Sequence, residues 1–331
     1  MPTAYHLKFK TSVHIGIEAI GQEKIESTIR SDTLWGAVIS KWLLLYDDDP
    51  DELCSNSPFK VSSCFPLIGG TRFFPVPVGA LDELMNKAAS KEAGFEPSVK
   101  TIKKIRYLAE PLFKKLIKGE GLSLANLAPD IVYPYEAPET YKSVVFAKEM
   151  QRPRVRTDQL SGGVGKNSFF YCSDQFFAED SGIFFLAEFS DSDSKNKFEA
   201  SLALLGDSGI GADRSVGRGF FSFSSHEVDF GAGFVQRAML LSLCIPSKED
   251  AKNGLLTDLK TSYTLIRRFG AAGINGVNRF RRPDTWMFGE GSLFPDILEG
   301  SIRKVIAASE EMKIPHNVYR YGKAFCISVG I

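Results

Sequence analysis

At 331 residues the chain is long enough for two domains, and a hydrophobic content of 44% supplies ordinary cores. Forty basic and forty acidic side chains cancel, which argues against a free-standing nucleic-acid binder but allows a local basic face within a larger assembly. The five cysteines (Cys54, Cys64, Cys172, Cys244 and Cys326) form no C-x-x-C pair; with no leader or long apolar span, the chain reads as reduced and cytoplasmic. His6, His14, His226 and His316 lack ligand spacing, so neither a metal nor a cofactor is expected.

In chain order, residues 5–15 alternate apolar and polar and predict a half-buried strand ended by Gly16. Ser31-Asp32-Thr33-Leu34-Trp35 then opens a helix, with Ser31 or Asp32 as N-cap and Leu34, Val38, Trp42 and Leu45 on its core face. The acidic run Asp47–Glu52 reads as a solvated loop, and residues 59–78 as paired short strands. Residues 98–119 form a basic helical stretch divided at Pro111, most simply a solvated face. Between 142 and 172 lie Lys148, Arg152, Arg154, Arg156 and Lys166. The three arginines alternate, so on a strand they share one face, either contacting a backbone or guarding an edge. A buried strand over 182–189, a helix over 191–205 and a strand over 219–230 complete a β–α–β–β–α–β order with a long insertion, the ferredoxin-like pattern. Gly231-Ala232-Gly233 marks a boundary. Beyond it come a strand over 238–245, a segment carrying Arg267, Arg268, Arg279, Arg281 and Arg282, strands near 286–294 and 300–308, and a final strand over 318–329. The expected architecture is α+β: a ferredoxin-like domain over 1–231 with an insertion at about 80–180, then a degenerate second one over 232–331.

Between the 191–205 helix and the strand that follows it, five glycines fall within residues 206–219, with Arg214 and Arg218 among them. Successive N–H groups in such a loop can form an anion nest, and guanidinium forks match phosphate. A helix C-cap that simply needs flexible residues explains the composition equally well. A dinucleotide fingerprint fails, because Arg214 and Ser222 stand where the third glycine is required. Gly162-Gly163-Val164-Gly165-Lys166 fails as a P-loop, with Leu160 at the upstream glycine and Asn167 at the Ser/Thr.

Several stretches together resemble one family. They are His14-Ile15-Gly16, Ser31-Asp32-Thr33-Leu34-Trp35, Arg154-Val155-Arg156-Thr157-Asp158-Gln159-Leu160-Ser161-Gly162 and the run from Gly209 to Gly219, followed by Gly289-Glu290-Gly291-Ser292-Leu293-Phe294 and Val318-Tyr319-Arg320-Tyr321-Gly322-Lys323-Ala324-Phe325. In this order they resemble the RAMP subunit that caps the crRNA 5′ end in type III-A (Csm) CRISPR effector complexes. The resemblance implies tandem ferredoxin-like domains, a thumb-like hairpin from the insertion, and no catalysis by this subunit. It also implies binding of the crRNA 5′ tag and contacts with the large polymerase-type signature subunit and the backbone RAMP subunit. Asp158-Gln159 departs from the family's Asp-Arg pair.

On that basis the glycine loop (Gly209, Gly211, Arg214, Ser215, Gly217, Arg218 and Gly219) is expected to take tag phosphates, flanked by His14 and Ser31. Arg152, Arg154 and Arg156 are expected to hold the guide where tag passes into spacer, with Arg281 and Arg282 as further RNA contacts. Replacing Arg218 is expected to reduce the salt slope by roughly 0.7. One alternative is a RAMP-type pre-crRNA endoribonuclease using His14; others are the equivalent subunit of a type III-B complex and a purely structural subunit.

Overall fold

The computed structural model describes residues 1–16, 24–90, 98–120, 131–132, 146–157, 162–230, 236–274, 277–311, 314 and 316–331. β1 (Thr3–Phe9) follows the period-2 pattern, with Tyr5 and Leu7 buried on one face and Ala4 on the other. It ends six residues before the expected boundary, where the chain bends and Val13 bridges to Gln175. α1 (Ser31–Leu45) buries Leu34, Trp35, Val38 and Trp42. Its N-cap is Arg30, with no side-chain cap, so the expected caps Ser31 and Asp32 lie inside the first turn. The acidic run forms α2 (Pro50–Ser55) rather than a loop, because the Asp49 side chain caps it by accepting from the Glu52 N–H at 2.8 Å.

β2 (Phe59–Val61), β3 (Phe65–Ile68) and β4 (Thr71–Pro75) follow, with β3 and β4 paired through Gly69-Gly70. α3 (Asp82–Ala89), α4 (Val99–Ile102), β5 (Tyr107–Ala109), α5 (Glu110–Ile117) and β6 (Ile131–Val132) come next. The basic run is thus two short helices with a strand between them. Pro111 sits in the first turn of α5, where a missing N–H costs no helical bond. β7 (Ala147–Thr157) and β8 (Val164–Phe177) form a long two-stranded hairpin. β9 (Ser181–Phe189), α6 (Ser192–Ser208, capped by Asp191) and β10 (Phe221–Glu227) finish the first half.

The remaining elements are β11 (Arg237–Leu240), α7 (Lys248–Lys252), β12 (Leu265–Arg268), β13 (Ala271–Ile274), β14 (Val277–Arg281), β15 (Thr285–Phe288), β16 (Leu293–Phe294), β17 (Arg303–Ile306), β18 (Val318–Arg320) and β19 (Cys326–Val329). The expected strand over 318–329 is therefore two strands, and that over 238–245 is shorter. β12 pairs with β15 and β13 with β14, so residues 265–288 make a second hairpin.

The main sheet runs β10-β1-β9-β3-β4-β5-β6, with β2 also on β9, all antiparallel. A three-stranded sheet, β16-β11-β19, forms in the C-terminal half. One face of the main sheet is closed by α1 and α6, through Trp35, Trp42, Phe198 and Leu202 against Tyr5, Leu7 and Phe185. Its other face places Ala4, Phe184 and Leu186 against Phe74, Phe113 and Leu116. Met239, Leu241, Phe325, Ile327 and Val329 from the C-terminal sheet complete this core. Each Phe, Leu, Ile, Val or Met among them contributes about 1.5–3 kcal/mol on burial, and because they come from both halves of the chain, the two halves share a core. The fold is α+β, with α1 and α6 on one face of an antiparallel sheet and α5 on the other.

Candidate nucleic-acid interface

The glycine loop joins α6 to β10 and packs against the bend after β1. The Ala212 N–H donates to the His14 carbonyl at 2.9 Å, Gly219 N–H to Ser12 O at 2.9 Å, Ile210 N–H to Gly219 O at 3.0 Å, and Phe220 N–H to Thr11 Oγ1 at 3.1 Å. These donors are spent inside the chain, which corrects the expectation of a nest along the whole loop. Two glycines show why the composition is required. A Cβ on Gly211 would lie 2.4 Å from the His14 carbonyl oxygen, and one on Gly219 would lie 2.1 Å from that of Ile210. Both positions also have positive φ. The loop rises to a crest, a single 3₁₀ turn over Arg214–Val216, where Arg214 and Ser215 are exposed.

Arg218 is 5% exposed. Its guanidinium donates to Asp174 at 2.7 Å and to Asp213 at 2.5 Å, and its Nη1 lies 3.3 Å from Cys172 Sγ. The expected phosphate contact at Arg218 is therefore corrected: two carboxylates already hold it. Arg154 donates to the same Asp213 oxygen at 2.7 Å. A chain of alternating charge, Arg154–Asp213–Arg218–Asp174, thus locks the β7–β8 hairpin to the loop.

The register of the hairpin places Arg152 opposite Cys172 and Arg154 opposite Phe170, so these two share the face expected of them, while a register shift between Val155 and Thr157 falls at Arg156. Arg152 and Arg156 are exposed, and Arg152 lies 5.1 Å from the centre of the Phe176 ring. Asp158, Gln159 and Ser161 lie outside the described residues, as does the boundary at 231–233; the same holds for the side chains of Lys166 and Arg279.

His14 is buried, and its Nδ1–H donates to the Ser173 carbonyl at 2.6 Å. It does not face an open edge, which corrects its assignment as an RNA contact and weakens the ribonuclease reading. His14, Cys172 and Asp174 bring ligand atoms within 4.8 Å of one another, a juxtaposition that spacing could not reveal. The Arg218 guanidinium already occupies the Cys172 and Asp174 side of that cluster, and a fixed cation there disfavours a metal ion.

Ser31 is fully buried and its Oγ accepts from the Leu243 N–H at 2.9 Å, so it joins the two halves of the chain rather than meeting RNA. Beside it is an ion lattice that motif reading missed. Arg268 forks onto Asp32 at 2.9 and 3.0 Å and reaches Glu26 at 2.6 Å. Arg320 holds Asp32 at 3.2 Å, and Arg30 holds Glu290, which also accepts from Ser63. Burial raises the Asp32 carboxyl, but Arg268, Arg320 and Arg282 outweigh it and hold the group below the usual carboxylate range. Arg282 is half-buried and Arg281 exposed. Lys41, buried on α1, was also missed; burial and then the nearby Arg214 charge lower its pKa, so α1 and the loop crest present two cations to one another. The signal for the lattice was Asp32 in a first helical turn, and the signal for Lys41 was its place three residues after Val38, on the buried face of the helix.

Comparison with known proteins agrees with the fold. The Thermococcus onnurineus (strain NA1) CRISPR system Cms protein Csm4 is 25% identical over 326 residues, covering 95% of this chain and 96% of that protein. A crystal structure of a Csm3-Csm4 subcomplex in the type III-A CRISPR-Cas interference complex superposes with a TM-score of 0.66 at 17% identity, covering 100% of both chains. A Csm1-Csm4 cassette in complex with pppApA gives 0.63 at 18%, covering 100% of this chain and 98% of that one. The RAMP superfamily model matches residues 6–222 and the CRISPR Csm4 C-terminal domain model matches residues 235–329. The chain belongs to the RAMP superfamily and carries a C-terminal domain of the Csm4 type.

Proposed function

We propose that this chain is the RAMP subunit of a type III-A CRISPR interference complex that holds the 5′ tag of crRNA. The observation that carries this reading is the charge chain from Arg154 to Asp174. It sets the arginine face of the hairpin beside the loop crest, so that Arg152 and Arg156 continue into Arg214 and Ser215 as one basic rim. Such a rim takes a single strand by its phosphates. Arg281 is a further exposed contact. The partners are crRNA, the large polymerase-type signature subunit and the backbone RAMP subunit, in line with the Csm1 and Csm3 assemblies of the similar structures. The role is positioning rather than catalysis, because the one histidine beside the loop is buried against a carbonyl.

The strand order β10-β1-β9-β3, with α1 and α6 on one face, supports a ferredoxin-like first domain over 1–231. The second domain, over 232–331, is then a reduced copy built on β16-β11-β19. No helix among the described residues is long and apolar enough to cross a membrane, in keeping with a cytoplasmic assembly.

The test is a tagged pull-down from the native host with sequencing of the co-purified RNA. Processed crRNAs sharing one repeat-derived 5′ end are expected. Protein partners without crRNA would favour a purely structural subunit.

A further inference from the structure

We propose that the N-terminal end of α1, floored by Arg320 and opened to solvent by Arg282, is a phosphate-binding site separate from the glycine loop. Four guanidiniums (Arg30, Arg268, Arg282 and Arg320) meet there with three carboxylates (Glu26, Asp32 and Glu290). The carboxylates are largely engaged, Glu26 Oε2 being the one buried oxygen among them without a hydrogen-bond partner. Asp32 takes the Arg268 fork and one Arg320 nitrogen, Glu290 takes Arg30 and Ser63, and Glu26 takes Arg268. The unmet donors include Arg30 Nε, which faces Glu26 Oε2 at 3.7 Å, but most of them lie on Arg282 and Arg320. Arg320 is 2% exposed, yet its Nε and Nη2 have no hydrogen-bond partner, and neither does the buried Nε of Arg282.

A buried donor without an acceptor costs roughly 1–3 kcal/mol, and more when the group is charged. These unmet donors gather beside the first turn of a fifteen-residue helix, whose N-terminus favours an anion. Burial lowers the pKa of both arginines, which shows that the surrounding carboxylates do not fully offset their desolvation. A phosphate supplies both missing quantities: acceptor oxygens in guanidinium geometry and the balancing negative charge. Arg282 is half-buried, and it connects this lattice to the exposed Arg281 beside it in the chain, so the group enters from the surface.

The site stands on this chemistry alone; a phosphodiester of the guide as its occupant rests on the proposed function. The first arm of the test titrates inorganic phosphate into the purified full chain at constant ionic strength, read by calorimetry. One equivalent should bind. Arg282→Gln should weaken binding about tenfold or more, while Lys252→Gln, at an exposed cation of α7, should leave it unchanged. Arg320→Gln removes an Asp32 partner and endangers folding, so Arg282→Gln is the deciding variant. Absence of saturable binding, or binding that Arg282→Gln leaves intact, overturns the site. The second arm uses guide RNAs carrying an uncharged methylphosphonate at successive 5′ linkages. One linkage should weaken wild-type binding and be silent in Arg282→Gln. If phosphate binds but no linkage couples, the occupant is free phosphate and the RNA assignment falls. If the wild type binds no guide at all, the proposed function falls, and the first arm still decides the site.

Discussion

The two hairpins of this molecule are anchored by arginine in opposite ways. On the β7–β8 hairpin, Arg154 and Arg218 alternate with Asp213 and Asp174, two charges against two. On the 265–288 hairpin, Arg268 and Arg282 enter a lattice in which four guanidiniums face three carboxylates. A balanced anchor is a structural rivet, whereas an unbalanced one leaves capacity for an anion. Counting basic residues in the sequence treats the two alike. Only the carboxylates that fold against them decide which arginines remain to meet a ligand.

The largest effect should come from breaking the balanced anchor. Arg218→Ala leaves Asp174 buried and Asp213 short of a partner, and should cost roughly 3–5 kcal/mol in chemical denaturation. A loss below 1 kcal/mol would show that the rivet is not structural. Gly219→Ala, forced against the Ile210 carbonyl at positive φ, should cost roughly 1–3 kcal/mol in the same assay. Arg214→Gln, at the exposed crest, should leave stability within about 0.5 kcal/mol but reduce the salt slope of guide-RNA binding by roughly 0.7. An unchanged slope would remove Arg214 from the rim.

The smallest effect concerns His6, on the sheet face away from α1. Its pKa falls from 6.5 to about 4, first through burial and then through His226, 4.4 Å away between ring centres. The unfolded chain binds this proton more readily, so the contribution is full above about pH 6.5 and is lost as the pH falls towards 4. His6→Gln should flatten stability against pH within that window; an unchanged profile would place the acid sensitivity elsewhere.

Much of the first half was legible because its patterns are local. The alternation of Tyr5 and Leu7, the 3.6-residue spacing of Leu34, Val38 and Trp42, and the Asp191 cap each report a neighbour in sequence. The glycine loop was located correctly, but its glycines answer to carbonyls of His14 and Ile210, the first almost 200 residues away in the chain. Arg218 and Ser31 were misassigned for the same reason: Asp174 and the Leu243 N–H are partners that only the tertiary fold supplies. Asp32 read as a cap because first-turn acids usually act on their own helix. Here Arg268 and Arg320 draw it across to the other half.

The shared core also has a consequence for the order of synthesis. Ala4, Phe184 and Leu186 are made early, yet Phe325, Ile327 and Val329 that cover them emerge roughly a hundred or more residues later. At about 5–20 residues per second, that apolar face, by then met only by Phe74, Phe113 and Leu116, stays incompletely covered for some 5–30 seconds on the ribosome. Over that interval the nascent first half is a natural client for chaperones, and slowing translation beyond residue 236 should raise its aggregation.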